Sequence, residues 1–449
     1  MGHPRNPDPP VSHADEDDFS AARRHFLDGV GHFEAGRLDE AHAAFQASLQ
    51  RLPGRPSTLV NLAATRLRLG EPQAALAPLD EALAASPHDA DAWAHRARAL
   101  GRLGRHGEAV DSADRALGIE PSHAAAGYER AMNLMALQRH DQALPALEAL
   151  LAREPDLAEA WMRRGQALQA LNRHDEALPC YDRAVAADPQ LSQAWTLRGG
   201  LLKDMGRTDE AVDAFRRALA LGGDPGINGY FLAGLTGEDV PRQAPVAYVE
   251  QLFDGYAGDF DHHLVEVLRY GGPRILVDGL LALQPGGAEA ALDLGCGTGL
   301  CGPLLRPHVR RLAGVDLSAA MLDKARASGA YDALAKGELV AHLRGVGSPQ
   351  QWLLAADVFV YVGALEAVFE AAAAVLAPGG LFAFSVEEAQ PGEPPLALRP
   401  SLRYAHSQAY LEGLAQAHGL SVLRWQRAPL REDQRRAIPG LFGWLQRPA

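Results

Sequence analysis

In Ala291-Leu-Asp-Leu-Gly-Cys-Gly-Thr-Gly-Leu-Cys-Gly302 an apolar run breaks into glycines at alternate positions. Residues 290–294 have the length and apolarity of a buried strand. Gly295, Gly297 and Gly299 directly after it permit a tight turn and let a ligand approach the backbone. By the letter, Gly297, Gly299 and Gly302 also satisfy G-x-G-x-x-G, the dinucleotide fingerprint. Asp293, two residues before the first glycine, separates the readings. A carboxylate beside the loop repels a pyrophosphate and suits a ligand with a positive end and no phosphate.

Outward from this turn the texture is that of strands alternating with helices. Residues 312–315, 352–358 and 381–386 read as further strands, with helices notably at 318–327 and 365–376. Alternation sustained over about two hundred residues predicts a doubly wound, mostly parallel sheet. Asp316 ends the second strand in Gly314-Val-Asp-Leu-Ser318, 17 residues after Gly299. An acid there can accept both hydroxyls of a ribose. With Asp293 as acceptor for an ammonium group, the two carboxylates fit S-adenosylmethionine.

The first half repeats. Pro53, Pro87, Pro121, Pro155 and Pro189 stand 34 residues apart, as do Ala41, Ala75, Ala109, Ala143, Ala177 and Ala211. Phe45, Leu79, Ala113, Leu147, Tyr181 and Phe215 form a mostly bulky apolar column in the same phase. Gly36, Gly70, Gly104, Asn172 and Gly206 mark a recurring turn, with Gln138 the exception. Six units thus run over 23–226. Each reads as two helices, with an aromatic early in the first (Trp93, Tyr128, Trp161, Trp195). A small residue follows four positions after each Trp (Ala97, Gly165, Gly199), where a neighbouring helix comes close. Arg96, Arg130, Arg164 and Arg198 form a basic column, and Asp80, Asp114, Glu148 and Asp182 an acidic one. These read as a ladder of ion pairs between repeats, against the sharper alternative of a basic groove for an acidic peptide.

Composition sets the outer bounds. A chain of 449 residues with 47% hydrophobic and 22% charged residues holds two or three packed units. The net charge of −13 argues against a generic nucleic-acid or anionic-membrane binder. No apolar run spans a bilayer, and residues 1–20 have no secretory h-region. Three scattered cysteines, Cys180, Cys296 and Cys301, suit a reducing cytosol and give no metal spacing, so a cytoplasmic protein without a metal site is expected.

The 34-residue period with its W…G…A…P order resembles the tetratricopeptide repeat. That resemblance implies a right-handed superhelix of helix pairs whose concave groove holds a protein or peptide. D-x-G-x-G-x-G, then G-V-D-L-S-x-x-M-L, then Ala377-Pro-Gly-Gly380 before a strand, resemble the class I S-adenosylmethionine-dependent methyltransferases. The whole resembles bacterial methyltransferases that carry an N-terminal tetratricopeptide solenoid. The fold class implied is a two-domain chain, an all-α superhelical solenoid followed by a Rossmann-like α/β fold. Its seven-stranded sheet would have an antiparallel last strand at 441–446. The boundaries are a disordered acidic and Pro-rich terminus at 1–22, the solenoid with a capping helix at 23–235, a linker at 236–245 and the catalytic domain at 246–449.

By this resemblance Asp293, Gly295, Cys296, Gly297, Gly299, Asp316, Leu317 and Met321 hold S-adenosylmethionine. Tyr256 and Phe260, in the segment 252–264, place aromatics over its methionine end. Glu338 is the nearest counterpart of the family's adenine-contacting Asp at the third strand, one methylene longer. The family's aromatic-Asp opening of the fourth strand is replaced by Gln350, Gln351 and Trp352. A general base is needed only for an acceptor protonated at neutral pH. Tyr361, Asp357 and His406 are the catalytic candidates, with His262 and His263 behind them. The Asn/Asp-Pro-Pro-Tyr motif of amino-nitrogen acceptors is absent, and no basic aromatic patch suggests RNA. Arg424, Arg427, Arg431, Arg435 and Arg436, interspersed with Glu432 and Asp433, read as a solvated face. The expected function is methyl transfer to an unidentified acceptor, with the solenoid recruiting a protein substrate or partner. A scaffold whose cofactor domain is structural or sensory is the alternative, and a dinucleotide oxidoreductase ranks third.

Overall fold

The computed structural model describes residues 13–256, 270–433 and 436–449, except for the side chains at 13–16, 255, 256, 433 and 436. It divides into two compact units, 1–207 and 208–449.

The first unit is a run of antiparallel helix pairs from His13–Glu34 to Ser192–Asp204. The first helix takes in residues 13–22, which composition assigns to a disordered terminus. Ala22 is buried there and its carbonyl accepts from the Ser48 hydroxyl at 2.9 Å. The periodic columns are the core: Ala41, Ala75, Ala109, Ala143 and Ala177 are all fully buried, as are Phe45, Leu79, Leu147 and Tyr181. Close approach explains the small column, since a Cβ at Gly165 would stand 2.7 Å from the Tyr181 ring. The interhelical turn needs a left-handed residue, and Gln138 (φ 61°) adopts it where the other repeats place Gly or Asn.

The basic column pairs as a ladder. Arg96 meets Asp80 at 2.9 Å, Arg130 meets Asp114 at 2.6 Å, Arg164 meets Glu148 at 2.9 Å and Arg198 meets Asp182 at 2.7 Å. The indole N–H groups of Trp93, Trp161 and Trp195 donate to the carbonyls of Pro87, Pro155 and Pro189. Both columns therefore hold successive helices together, and the guanidinium heads are engaged.

The second unit opens with the helices Thr208–Ala220 and Pro225–Thr236, whose Phe215 and Phe231 rings stack at 5.1 Å. Among the described residues a nine-stranded sheet follows: β1 (Ala288–Leu294), β2 (Val309–Asp316), β3 (Ala333–Lys336), β4 (Gln350–Ala355), β5 (Leu376–Glu388), β6 (Leu396–Leu398), β7 (Tyr404–His406), β8 (Ser421–Asp433) and β9 (Arg436–Gln446). β3-β2-β1-β4-β5 run parallel, and β9 lies antiparallel between β5 and β8. That series supplies the seven strands and the antiparallel last strand expected. The excess over seven is the short β6–β7 hairpin, paired to the far end of β5.

Alternate residues of the strands serve two cores. Phe382 and Phe384 face the helices Glu366–Val375 and Gln408–Ala417, while Leu381, Ala383 and Trp352 face the helix Gly272–Leu283. Trp352, which stands at the fourth strand's unorthodox opening, is fully buried and donates to Gln284 at 2.8 Å.

Residues 236–245, read from sequence as a linker, are stitched into this unit. The Pro241 carbonyl accepts from the Tyr404 hydroxyl at 2.8 Å, the Ala244 N–H donates to Tyr361 and the Ala364 N–H to Arg242. The helix expected to cap the solenoid is Pro225–Thr236, and its Tyr230 hydroxyl donates to the Leu402 carbonyl at 2.6 Å, in the β6–β7 turn.

Candidate active site

The glycine turn leaves β1 at its carboxyl end, and β1 lies between β2 and β4 where the winding of the sheet reverses. Ligands bind at such switch points. Gly295, Gly297 and Gly299 all have positive φ, at 63°, 54° and 90°. What a side chain would meet differs at each. A Cβ at Gly295 would strike Val358, and one at Gly302 would strike the Tyr331 ring at 2.5 Å. At Gly297 it would meet nothing within 4 Å. The letters that spell a dinucleotide fingerprint are thus set partly by Tyr331, and Gly297 is the position open to a ligand.

Asp316 holds this turn in shape. Its carboxylate accepts from the Gly297 N–H at 2.9 Å and from the Ser318 N–H at 2.9 Å. Burial raises its pKa, and those backbone donors work against the rise. Ser318 is fully buried, caps the helix Ala319–Ala327 through the Met321 N–H, and donates its hydroxyl to Asp254. Glu338 caps the helix Leu339–Gly345 by accepting from the Val340 and Ala341 N–H groups at 3.0 and 2.8 Å.

Asp293 has a different place from the one its sequence position suggests. It is 1% exposed, and its carboxyl accepts from the Tyr331 hydroxyl at 2.6 Å beneath the turn. Burial pushes it up to about 7, against the pull of that hydrogen bond. A cavity of about 390 Å³ opens at the carboxyl ends of β1 to β4. It is lined by Gly295, Cys296, Gly297, Asp316, Leu317, Met321 and Glu338, together with Asp357 and Tyr361. Neither Asp293 nor Gly299 is among its walls. The ammonium contact read for Asp293 is therefore replaced by a supporting contact with Tyr331.

The methyltransferase domain family matches residues 291–380, the segment that contains this turn and the strands beside it. The tetratricopeptide repeat family matches 32–99, 90–123, 128–192 and 163–226. The chain carries tetratricopeptide repeats and a methyltransferase domain.

A curated human relative, methyltransferase-like protein 27, is 42% identical over 85 residues, 18% of this chain and 34% of that protein. The chain thus spans about a third of the length of the curated relative it matches. Solved structures resemble part of this chain. MamA 41-end from Desulfovibrio magneticus RS-1 is 26% identical with a TM-score of 0.36, covering 37% of this chain and 94% of that one. Pseudomonas aeruginosa pilF is 18% identical with a TM-score of 0.43, covering 48% of this chain and 99% of that one. No helix among the described residues is long and apolar enough to cross a membrane.

Within the methyltransferase domain the three catalytic candidates separate. His406 is fully buried, its Nε2 bonds the Gly363 carbonyl at 2.7 Å, and burial lowers its pKa to about 4. It does not line the cavity, so its catalytic assignment is corrected to a structural one. Asp357 lines the cavity from a left-handed backbone (φ 56°), with its N–H donating to Ser385. Both of its carboxylate oxygens accept from Nη1 of Arg431, at 2.8 and 2.9 Å. Tyr361 lines the cavity with its ring edge-on to Phe253.

Arg431 departs from the solvated face read for this stretch, on which Arg424 and Arg427 are exposed. Its side chain is 1% exposed, and its other terminal nitrogen bonds Glu387, itself held by Arg399 at 3.0 Å. The sequence offered no sign of this, since Arg431 sits among exposed arginines on β8. Arg403 and Tyr270 also line the cavity and went unread. Phe260, His262 and His263 lie outside the described residues, as does the Tyr256 side chain at the end of the helix Val246–Tyr256.

Proposed function

We propose that the cavity of the second unit binds S-adenosylmethionine as a class I methyltransferase and presents its methyl group to an acceptor in the same chamber. The supporting observation is the fit at Gly297, a backbone cradle with free space above it beside a carboxylate that ends β2. Asp316 is the residue to take the ribose hydroxyls, Glu338 and Met321 flank the adenine, and Leu317 and Cys296 form the apolar bed. The scaffold alternative lacks such support, because a retired site has no reason to keep an open turn with its carboxylate in place. An acid ending the second strand takes a ribose in dinucleotide sites as well, so a thermal-shift comparison of NADH with S-adenosylhomocysteine separates the two ligands.

When bound, the cofactor supplies a methyl group already activated on a sulfonium. The chain's work is to position the acceptor and exclude water. Asp357 is locked by Arg431 and His406 is walled in, so neither is a free base. An acceptor that needs no proton removed suits these walls. The repeats are the natural receptor for a protein or peptide that recruits the enzyme or serves as its substrate. On this reading the repeats supply the receptor, and the catalytic module takes in residues 208–449 with 236–245 built into it.

Calorimetric titration with S-adenosylhomocysteine tests the assignment. The wild type binds, and Asp316→Ala weakens binding by at least about tenfold, or 1.4 kcal/mol. No binding by the wild type at millimolar ligand would sink the methyltransferase reading, and unchanged affinity in the variant would remove the ribose contact.

A further inference from the structure

Arg403 sits in the turn between β6 and β7 and lines the same cavity as the glycine turn. Its surroundings are those of an ion that must stay charged. Burial opposes the charge, yet Tyr361 and the carboxylates of Asp357 and Glu387 outweigh it and raise the pKa above the usual arginine value. Those carboxylates are already spoken for at hydrogen-bonding range. Asp357 holds Nη1 of Arg431 with both oxygens, and Glu387 holds Arg431 and Arg399. Among the described residues no carboxylate lies within ion-pair distance of Arg403. A planar fork with five donors therefore faces a largely apolar chamber without the bidentate partner such a group takes.

A second observation points the same way. Tyr270, 9% exposed, also lines this cavity, and its enclosed hydroxyl has no hydrogen-bond partner among the described residues. Buried polar atoms of that kind are satisfied in the working state, by a ligand or water. Phe253, Val249 and Val362 supply apolar wall on the same cavity. A cation set among aliphatic and aromatic walls selects a small molecule with an apolar body and an anionic end.

Resting on the methyltransferase reading, we propose that the acceptor is a small organic acid whose carboxylate is held by Arg403, its apolar body lying against Phe253. A carboxylate matches the guanidinium fork in shape and charge.

The test uses the full chain saturated with S-adenosylhomocysteine and a fixed set of probes: benzoate, phenylacetate and octanoate, each with its uncharged amide. At least one acid binds tenfold or more tightly than its amide, Arg403→Gln abolishes that preference, and Arg403→Lys keeps part of it. S-adenosylhomocysteine affinity is the same in all three proteins, which also shows that the variants are folded. Equal binding of every acid and its amide to the wild type overturns the proposal. A loss of S-adenosylhomocysteine affinity in Arg403→Gln overturns it in another way, by placing Arg403 on the cofactor. Failure of the wild type to bind S-adenosylhomocysteine at all is the separate failure of the methyltransferase reading.

Discussion

Both units of this chain join arginines to carboxylates, and they use the pairs in opposite ways. In residues 1–207 four pairs recur at 34-residue spacing, with carboxylates half open to water, such as Asp114 at 50% exposure against Arg130 at 27%. In residues 208–449 the cluster of Asp357, Arg431, Glu387 and Arg399 occurs once, and its central pair of Arg431 and Glu387 is 1% and 3% exposed. Exposed pairs are worth little singly and tolerate loss. A buried cluster gains little as a whole, yet removing one member strands the others without water. The repeats can therefore drift one pair at a time, whereas the cluster behind the cavity stands or falls together.

The sharpest way to break this comparison is Arg431→Ala. Urea denaturation read by hydrogen exchange in β5 and β8 should show a loss of about 3–5 kcal/mol, because Asp357 loses its guanidinium partner and Glu387 keeps Arg399 alone. A loss under 1 kcal/mol would put the cluster on a par with the ladder.

A smaller effect, with a sign fixed by burial, belongs to Asp293. Its carboxyl stands at about 7 in the folded chain against an ordinary value of 3.8, so the fold favours the neutral form. That contribution is complete below the ordinary value and is lost as pH climbs through 7. Relative to Asp293→Asn, the wild type should lose stability between about pH 4 and 7, with a slope of at most about 1.4 kcal/mol per pH unit. Thermal melts of both proteins across that range give the difference, and parallel curves would show that Asp293 is ionised throughout.

The mildest change is Arg130→Ala in the ladder. It should cost about 1 kcal/mol or less and leave S-adenosylhomocysteine affinity untouched. A cost near that of Arg431→Ala would mean the repeats also depend on single pairs.

The same contrast explains what could be read without coordinates. Periodic features announce themselves, so the Ala and Phe/Leu columns, the turn residues and the pairing of Arg96 with Asp80 were all legible from a 34-residue spacing. The strands and the glycine turn were legible because local geometry demands particular residues there. What escaped depends on residues far apart in the chain. Tyr331 reaches Asp293 across 38 positions, and Arg431 reaches Asp357 across 74. No spacing rule links such partners, and only the crossing of strands brings them together. His406 failed as a catalytic candidate for a related reason, since burial is a property of the neighbours and not of the residue itself.

The stitching of residues 225–245 to the β6–β7 turn also fixes where the chain can be cut. Tyr230 donates to Leu402, and Tyr404 donates to Pro241. A fragment starting at Val246 would strip away both contacts and bare Leu402 and Tyr404, which flank Arg403 in the chain. An autonomous catalytic piece has to begin near Thr208 and keep the tail of the repeat array as part of its own walls.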